Sequence, residues 1–194
     1  MAACGAVRFC WLRSWSDLAR IGNPAAINNL AVLYPGTGVE RDMSLALQML
    51  GAVSDFGYPV AQYNLAKVYA NPMTYGVVLP DPVTRSTEMY RAAAHGSHVR
   101  PQMLLGVRMY LGVGTPRDPA GAAAWLSIAH TGAAEADLAA EIDALLAAAL
   151  AGMTEPQMRE AIAKRDAIVA QIPPQNVRRR PLPVPPTLVA VLLP

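Results

Sequence analysis

The sequence predicts an all-α protein, a right-handed α/α solenoid of helix-turn-helix repeats followed by an extended C-terminal tail. Three observations lead to this fold class. Hydrophobic residues make up 53% of the 194 residues and aromatic residues only 6%, and much of the apolar content is alanine, a strong helix former. One pattern of small, apolar and glycine residues recurs along the chain, as it does in repeat proteins. The last stretch is too rich in proline to form a helix.

Residues 1–22 are predicted to form a single helix that represents half of a repeat. The spacing of a tryptophan, an alanine and a glycine there matches a later part of the chain: Trp15, Ala19 and Gly22 against Trp125, Ala129 and Gly132. A mitochondrial presequence is the alternative, because the stretch is poor in acids and contains arginine and serine. A half repeat leaves Phe9 and Trp11 at an uncapped end, so we expect a partner, a second copy or the tail to cover them.

Three repeats are predicted next, at 23–57, 58–96 and 97–132. Each begins with a helix that has one apolar face, as shown by Ala26 and Leu30, which lie four residues apart. A glycine-rich turn follows, in which glycine supplies the positive φ that ends the first helix at low cost.

The second helix of each repeat has its own pattern. An aspartate is followed by a small residue and then by a large apolar residue: Asp42, Ala46 and Met49, then Asp81, Ser86 and Met89, then Asp118, Ala122 and Trp125. The small residues allow the two helices to pack closely. The aspartates are predicted to form turns or helix caps. The second copy also carries an insertion at 71–79.

These residues resemble the Sel-one-like repeat, a short relative of the tetratricopeptide repeat. The third copy is similar to the family pattern from Leu105 to Gly132, and it departs from that pattern at Met109 and Thr115. The resemblance covers about residues 8–132. It implies an α/α solenoid whose concave face binds other proteins.

Residues 133–171 are predicted to form a helical hairpin. Its first helix covers 133–150, and its second runs from about Glu155 to Gln171. Thr154 and Gln157 have the spacing of a capping box at the start of the second helix. This helix resembles the closing helix that follows bacterial Sel-one-like repeats, which indicates a bacterial origin.

Residues 172–194 are predicted to form an extended, proline-rich tail. Arg180, Pro183 and Pro186 have the spacing of a Src-homology-3 ligand. An arm laid on the solenoid or on another subunit is the alternative that we favour. The apolar end of the tail is predicted to be docked, because a free segment of this kind promotes aggregation; its contact residues are Leu188, Val189, Val191 and Leu192.

No catalytic, metal or cofactor site is predicted. His95, His98 and His130 lie near helix ends without convergent acids or thiolates. Cys4 and Cys10 are poorly spaced for a disulfide within one helix. The glycine pairs lack the third glycine and the lysine of a phosphate loop, and a small-molecule ligand is not expected. A net charge of +2 does not indicate a nucleic-acid partner, and no apolar run approaches the roughly 20 residues of a transmembrane helix.

The predicted function is therefore a non-enzymatic scaffold or adaptor that binds a protein on its concave face and through its tail. Tyr63, Tyr75 and Tyr90 are candidate contacts, because aromatic residues often carry binding energy at interfaces. The alternative is a stoichiometric accessory subunit of a larger, membrane-associated or mitochondrial complex. For location we favour the bacterial cytoplasm or periplasm, with the mitochondrion as the alternative.

Overall fold

The structure is a computed structural model that describes residues 19, 23–33, 43–96 and 98–172. Within these ranges it is all-α, with one 3-10 turn at Pro72–Tyr75 and no strand. The helices are α1 (Pro24–Leu33), α2 (Met43–Asp55), α3 (Pro59–Ala70), α4 (Pro82–Ala94), α5 (Val99–Leu111), α6 (Pro119–Gly132), α7 (Ala136–Leu150) and α8 (Glu155–Gln171).

The helices stack as a solenoid. From α1 to α7, each helix packs against the next one in the chain. The first helices of neighbouring units also meet, α1 with α3 and α5 with α7. Two second helices of neighbouring units, α6 and α8, are likewise in contact. The predicted all-α solenoid is therefore confirmed.

Small residues lie where the two helices of a repeat cross. A Cβ atom added to Gly106 of α5 would lie 2.8 Å from Cγ of Leu126 in α6, so only glycine fits at this separation. The first two repeats have Ala31 and Ala66 at the same place, directly after the leucine of the pattern, and both are completely buried. The helices of each repeat can therefore approach closely and exclude water from the crossing.

The large apolar residues fill the space beside these crossings. Trp125 is buried with Leu105 and Met109, and Ile168 and Ile172, at the end of α8, pack against the same cluster. The final helical hairpin thus extends the core of the third repeat.

Helix ends follow the sequence signals in most places. Gly112, at φ 75°, ends α5. Asp118 caps α6, because its Oδ1 accepts the backbone N–H of Gly121 over 2.8 Å. The Thr154 N–H donates to Gln157 Oε1 over 2.9 Å, as the predicted capping box requires. These contacts satisfy backbone groups that a helix leaves without partners at its ends.

The second repeat departs from its neighbours at the insertion. Asp81 occupies the N-cap of α4 but has φ 41° and forms no side-chain cap hydrogen bond. The insertion before it folds into the 3-10 turn, which ends at Gly76 with φ 68°. Two of its apolar side chains face solvent, Met73 at 92% exposed and Val78 at 100%.

The last helix is tied to the cap of the third repeat. Lys164 Nζ of α8 lies 2.8 Å from Asp118 Oδ2 and 2.8 Å from Glu160 Oε1. Burial works to raise the pKa of Asp118, but the hydrogen bonds from Lys164 and from the Gly121 N–H outweigh it and hold that pKa below its usual value. One carboxylate therefore caps α6 and anchors α8.

At the N-terminus, Ala19 is helical and completely buried. It belongs to the same cluster as Ile27 and Met49. The rest of the predicted half repeat, including Phe9 and Trp11, lies outside the described residues, and so does the tail from residue 173 onward.

Ser86 provides a direct test of the repeat alignment. It takes the place of Ala46 and Ala122 but has a hydroxyl group that is fully buried and without a hydrogen-bond partner among the described residues. We expect Ser86→Ala to raise the free energy of unfolding by about 1 kcal/mol, because a buried polar group without a partner is destabilising. Urea denaturation followed by circular dichroism measures the change.

Ser54→Ala is the matched control for this substitution. Ser54 is also buried, but its Oγ lies 3.5 Å from Met89 Sδ and has a partner there. The control is expected to leave stability unchanged or to lower it. A lower stability of Ser86→Ala than of the natural chain would contradict the alignment.

Candidate partner-binding groove

An open groove of about 310 Å³ runs across the first helices of three successive units. Its lining includes Val60 and Tyr63 of α3, Val99 and Arg100 of α5, and Glu135 and Leu138 at the start of α7. We call this surface the first-helix groove. First helices line one common face in a solenoid of helix pairs, and the curvature of the stack makes such a face a binding surface.

The groove has apolar walls and a charged rim. Val60, Val99 and Leu138 supply apolar surface. On the rim, Arg100 Nη2 lies 4.0 Å from Glu135 Oε2, and both side chains are more than half exposed. An exposed ion pair at this distance contributes little to stability, so both groups remain available to charged or polar groups of a partner.

Tyr63 forms the aromatic edge of the groove. Its ring is partly exposed, and the Lys67 ammonium lies 5.7 Å from the ring centroid. Below it lies Tyr90, whose ring centroid is 6.1 Å away. These contacts restrict the Tyr63 side chain, and restriction before binding lowers the entropy lost when a partner binds.

Tyr90 supports this edge from inside the protein. Only 4% of it is exposed, and the Arg108 guanidinium lies 5.1 Å from its ring centroid. Burial raises the pKa of Tyr90 to about 12, although the positive charge of Arg108 opposes the rise. Tyr90 therefore offers almost no surface to a partner, although the sequence had suggested it as a candidate partner contact.

The structure brings the three predicted tyrosines together. Tyr75, on the 3-10 turn of the insertion, is partly exposed, and Tyr63 and Tyr75 both lie close enough to Tyr90 to add a small upward contribution to its pKa. Tyr63 and Tyr75 have exposed surface, and their role as partner contacts stays a prediction. The predicted tail contacts, Arg180, Pro183, Pro186, Leu188, Val189, Val191 and Leu192, lie outside the described residues together with Phe9 and Trp11.

Sequence reasoning missed the charged rim. Arg100 and Glu135 belong to different units, and no spacing within one repeat indicates that they meet. Their positions could have indicated the contact, because Arg100 and Glu135 both lie at the start of the first helix of their unit. Aligned first helices place such residues side by side when the units stack.

The histidines take different structural positions. His95 meets the Trp125 ring edge to face, with 5.1 Å between the ring centroids, and burial together with the nearby Arg91 lowers its pKa. His130 Nε2 lies 3.0 Å from Asp143 Oδ1, and His98 lines the first-helix groove. In the part of the chain that the structure describes, no three histidine, cysteine or acidic side chains converge as a metal site would require.

Comparison with known proteins assigns the family. The family model of the Sel1 repeat matches residues 24–51, 59–98 and 102–129. The chain therefore belongs to the Sel1-repeat proteins, and the resemblance seen in the sequence is confirmed. Proteins built from these repeats generally mediate protein–protein interactions, and the fold is typically a non-catalytic scaffold.

Two solved structures have a similar fold. One is the crystal structure of a Sel1 repeat protein from Oxalobacter formigenes, with a TM-score of 0.58 and 24% identity over 80% of this chain and 60% of that one. The other is c5321, a protective antigen of uropathogenic Escherichia coli strains with an SLR fold, with a TM-score of 0.53 and 20% identity over 83% of this chain and 41% of that one.

The chain spans less than two thirds of the length of either protein. A comparison with curated proteins finds no match. Among the helices of the described ranges up to residue 172, none is both long and apolar enough to cross a lipid bilayer.

Proposed function

We propose that the chain is a non-enzymatic scaffold or adaptor that binds a protein partner in the first-helix groove. The observation that carries the proposal is the combination found there: a tyrosine packed near a buried ring, apolar walls and an exposed pair of opposite charges. Protein interfaces use these groups, because aromatic residues often carry a large share of the binding energy and charged groups lie at the rim. The general role of Sel1-repeat proteins in protein–protein interactions supports it.

The shape of the groove favours a segment of polypeptide as the bound element. Its volume of about 310 Å³ lies at the lower end of the range of roughly 300–1,000 Å³ for small-molecule pockets, and it is open along its length. A partner segment can therefore place a few side chains between α3, α5 and α7 while the rest of the partner stays outside. In this proposal the C-terminal tail supplies a second contact, through Arg180 and the residues that follow it.

The first experiment identifies the partner. We would crosslink the full-length chain in its native source, purify it and identify the attached proteins by mass spectrometry. A single dominant partner in constant ratio supports a dedicated accessory subunit, and several partners support an adaptor. The absence of any crosslinked protein would contradict both.

Substitutions in the groove then locate the binding site. We expect the double variant Tyr63→Ala, Arg100→Glu to weaken binding of the identified partner by at least about 30-fold, because an aromatic hot-spot residue contributes roughly 2 kcal/mol or more. Isothermal titration calorimetry measures the change. The unfolding temperature should fall only slightly, because Arg100 forms an exposed ion pair and Tyr63, although its ring packs near Tyr90, is partly exposed.

Arg85→Glu is the charge-matched control. Arg85 is exposed on α4, a second helix, and does not line the first-helix groove. The control should bind as the natural chain does. Equal binding by the double variant and the control would place the partner elsewhere and overturn the assignment of the groove.

A further inference from the structure

A second groove lies at the C-terminal end of the solenoid. It has a volume of about 250 Å³ and is lined mainly by apolar residues: Ala123, Ala124 and Ser127 of α6, Leu146 and Leu150 of α7, and Met158, Ala161, Ile162 and Arg165 of α8. We call it the end groove. It arises because α8 approaches α6 through the small, buried Ala161, while the larger residues on either side remain open to solvent.

The exposed residues of the end groove form a continuous apolar surface. Leu150, Met158 and Ile162 are 38%, 41% and 50% exposed. Met158 and Ile162 lie one helical turn apart on α8, and Leu150 ends the neighbouring helix. Apolar surface of this kind at the end of a solenoid normally requires a cap.

We propose that the end groove is occupied by the chain's own C-terminal segment, Leu188–Leu193. This segment reads LVAVLL and contains no charged residue, so its apolar side chains match the lining of the groove. The proposal goes beyond partner binding in the first-helix groove, and it does not depend on that function.

The connecting chain is long enough for this contact. The tail leaves the described structure at Ile172, at the end of α8, and residues 173–187 separate it from Leu188. Fifteen residues of polyproline II span about 45 Å, whereas the 17 residues of α8 extend over only about 25 Å. Every point of the end groove along α8 is therefore within reach of the segment.

Charge also favours this occupant. Arg178, Arg179 and Arg180 precede the apolar segment, and residues 173–194 contain no acid. The helix α7 lines the end groove through Leu146 and Leu150, and Arg165 of α8 is the charged residue of the lining. The acids of α7, Asp137, Glu141 and Asp143, lie between the start and the middle of the helix, which contains no lysine or arginine. The acids of α7 therefore attract the arginines of the tail toward the hairpin, while the match between the segment and the groove lining is apolar.

A tethered segment is favoured over a second copy of the chain. The tether gives the segment an effective concentration of about millimolar at the groove. A stable dimer buries roughly 800 Å² on each partner, which is far more than a groove that holds a few side chains provides. A partner that binds the tail would first have to displace Leu188–Leu193 from the end groove.

Methionine oxidation of the full-length chain tests the proposal, with a reference residue in the same molecule. Met158 lines the end groove, whereas Met73 is 92% exposed on the distant insertion. The triple variant Leu188→Asp, Val191→Asp, Leu192→Asp places charges in the segment. We expect hydrogen peroxide to oxidise Met158, relative to Met73, at least about fivefold faster in the variant than in the natural chain.

A second variant tests the charges without changing the apolar segment. Arg178→Glu, Arg179→Glu, Arg180→Glu should also increase the relative oxidation rate of Met158, and salt should reduce the difference from the natural chain. Circular dichroism checks that the helical content of both variants is unchanged. If the ratio of Met158 to Met73 oxidation is the same in the natural chain and in both triple variants, the proposal is overturned. A rate for the natural chain that falls with increasing protein concentration would identify a second copy as the occupant and would overturn it as well.

Discussion

Replacement of Gly114 by alanine is expected to lower the free energy of unfolding by about 2–4 kcal/mol. Two effects add at this position. Gly114 has φ 64°, a conformation that costs a residue with a Cβ about 1 kcal/mol or more. The new Cβ would also lie 2.5 Å from the Val83 carbonyl oxygen and 2.5 Å from Thr87 Oγ1.

Neither neighbour of Gly114 can move easily. The Val83 carbonyl belongs to the first turn of α4. The Thr87 hydroxyl donates to the Val113 carbonyl over 3.0 Å and accepts from Arg108 Nη1 over 2.8 Å. Relief of the clash must therefore separate the turn of the third repeat from α4 of the second.

Gly76→Ala separates the two effects at Gly114. Gly76 has nearly the same φ, 68°, but a Cβ atom added to it would meet no other atom within 4 Å. This substitution should cost only about 1 kcal/mol, since it carries the backbone effect alone. Chemical denaturation followed by circular dichroism measures both variants. If the two variants lose the same stability, close packing at Gly114 makes no contribution to the junction between the repeats.

Replacement of Trp125 by alanine is expected to cost about 3–5 kcal/mol, the range for a buried aromatic residue. Trp125 is 3% exposed and packs with Leu105 and Met109, while Ile168 of α8 lies against the same cluster. Removing the indole ring would leave a cavity that borders both helices of the third repeat and the last helix. The midpoint of urea denaturation and the dependence of the unfolding free energy on urea concentration together give the loss of stability.

Trp125→Met is the natural comparison, because the first two repeats have Met49 and Met89 at the corresponding position. Methionine is flexible and fills irregular spaces, so we expect this variant to lose less than half as much stability as the alanine variant. A cost below about 1 kcal/mol for Trp125→Ala would mean that the indole does not hold these helices together.

The sequence predicted those features that depend on residues close together in the chain. The offsets from Asp118 to Ala122 and Trp125 placed a cap, a small crossing residue and a core residue correctly, because all three lie on one helix with a fixed period. The capping box at Thr154 located the start of α8 for the same reason. Local hydrogen bonding and helical geometry determine these features.

Features that depend on contacts between units could not be predicted in this way. Tyr90 lies in the least regular copy, and its burial results from Arg108 of the next repeat and from Tyr63 of the preceding helix. Arg100 and Glu135 form the rim of the first-helix groove only because α5 and α7 stack side by side. A single sequence contains the period of each helix but not the relative rotation of neighbouring units.

The shared carboxylate of Asp118 has a consequence for how the chain unfolds. In a solenoid, each unit contacts only its neighbours, so terminal helices usually fray first. Here α8 is fastened to the third repeat at two separated points, through Lys164 near the cap of α6 and through Ile168 in the Trp125 cluster. Detaching α8 removes a partner from the cap and apolar cover from the cluster at once, so we expect this helix and the third repeat to melt as a single cooperative block.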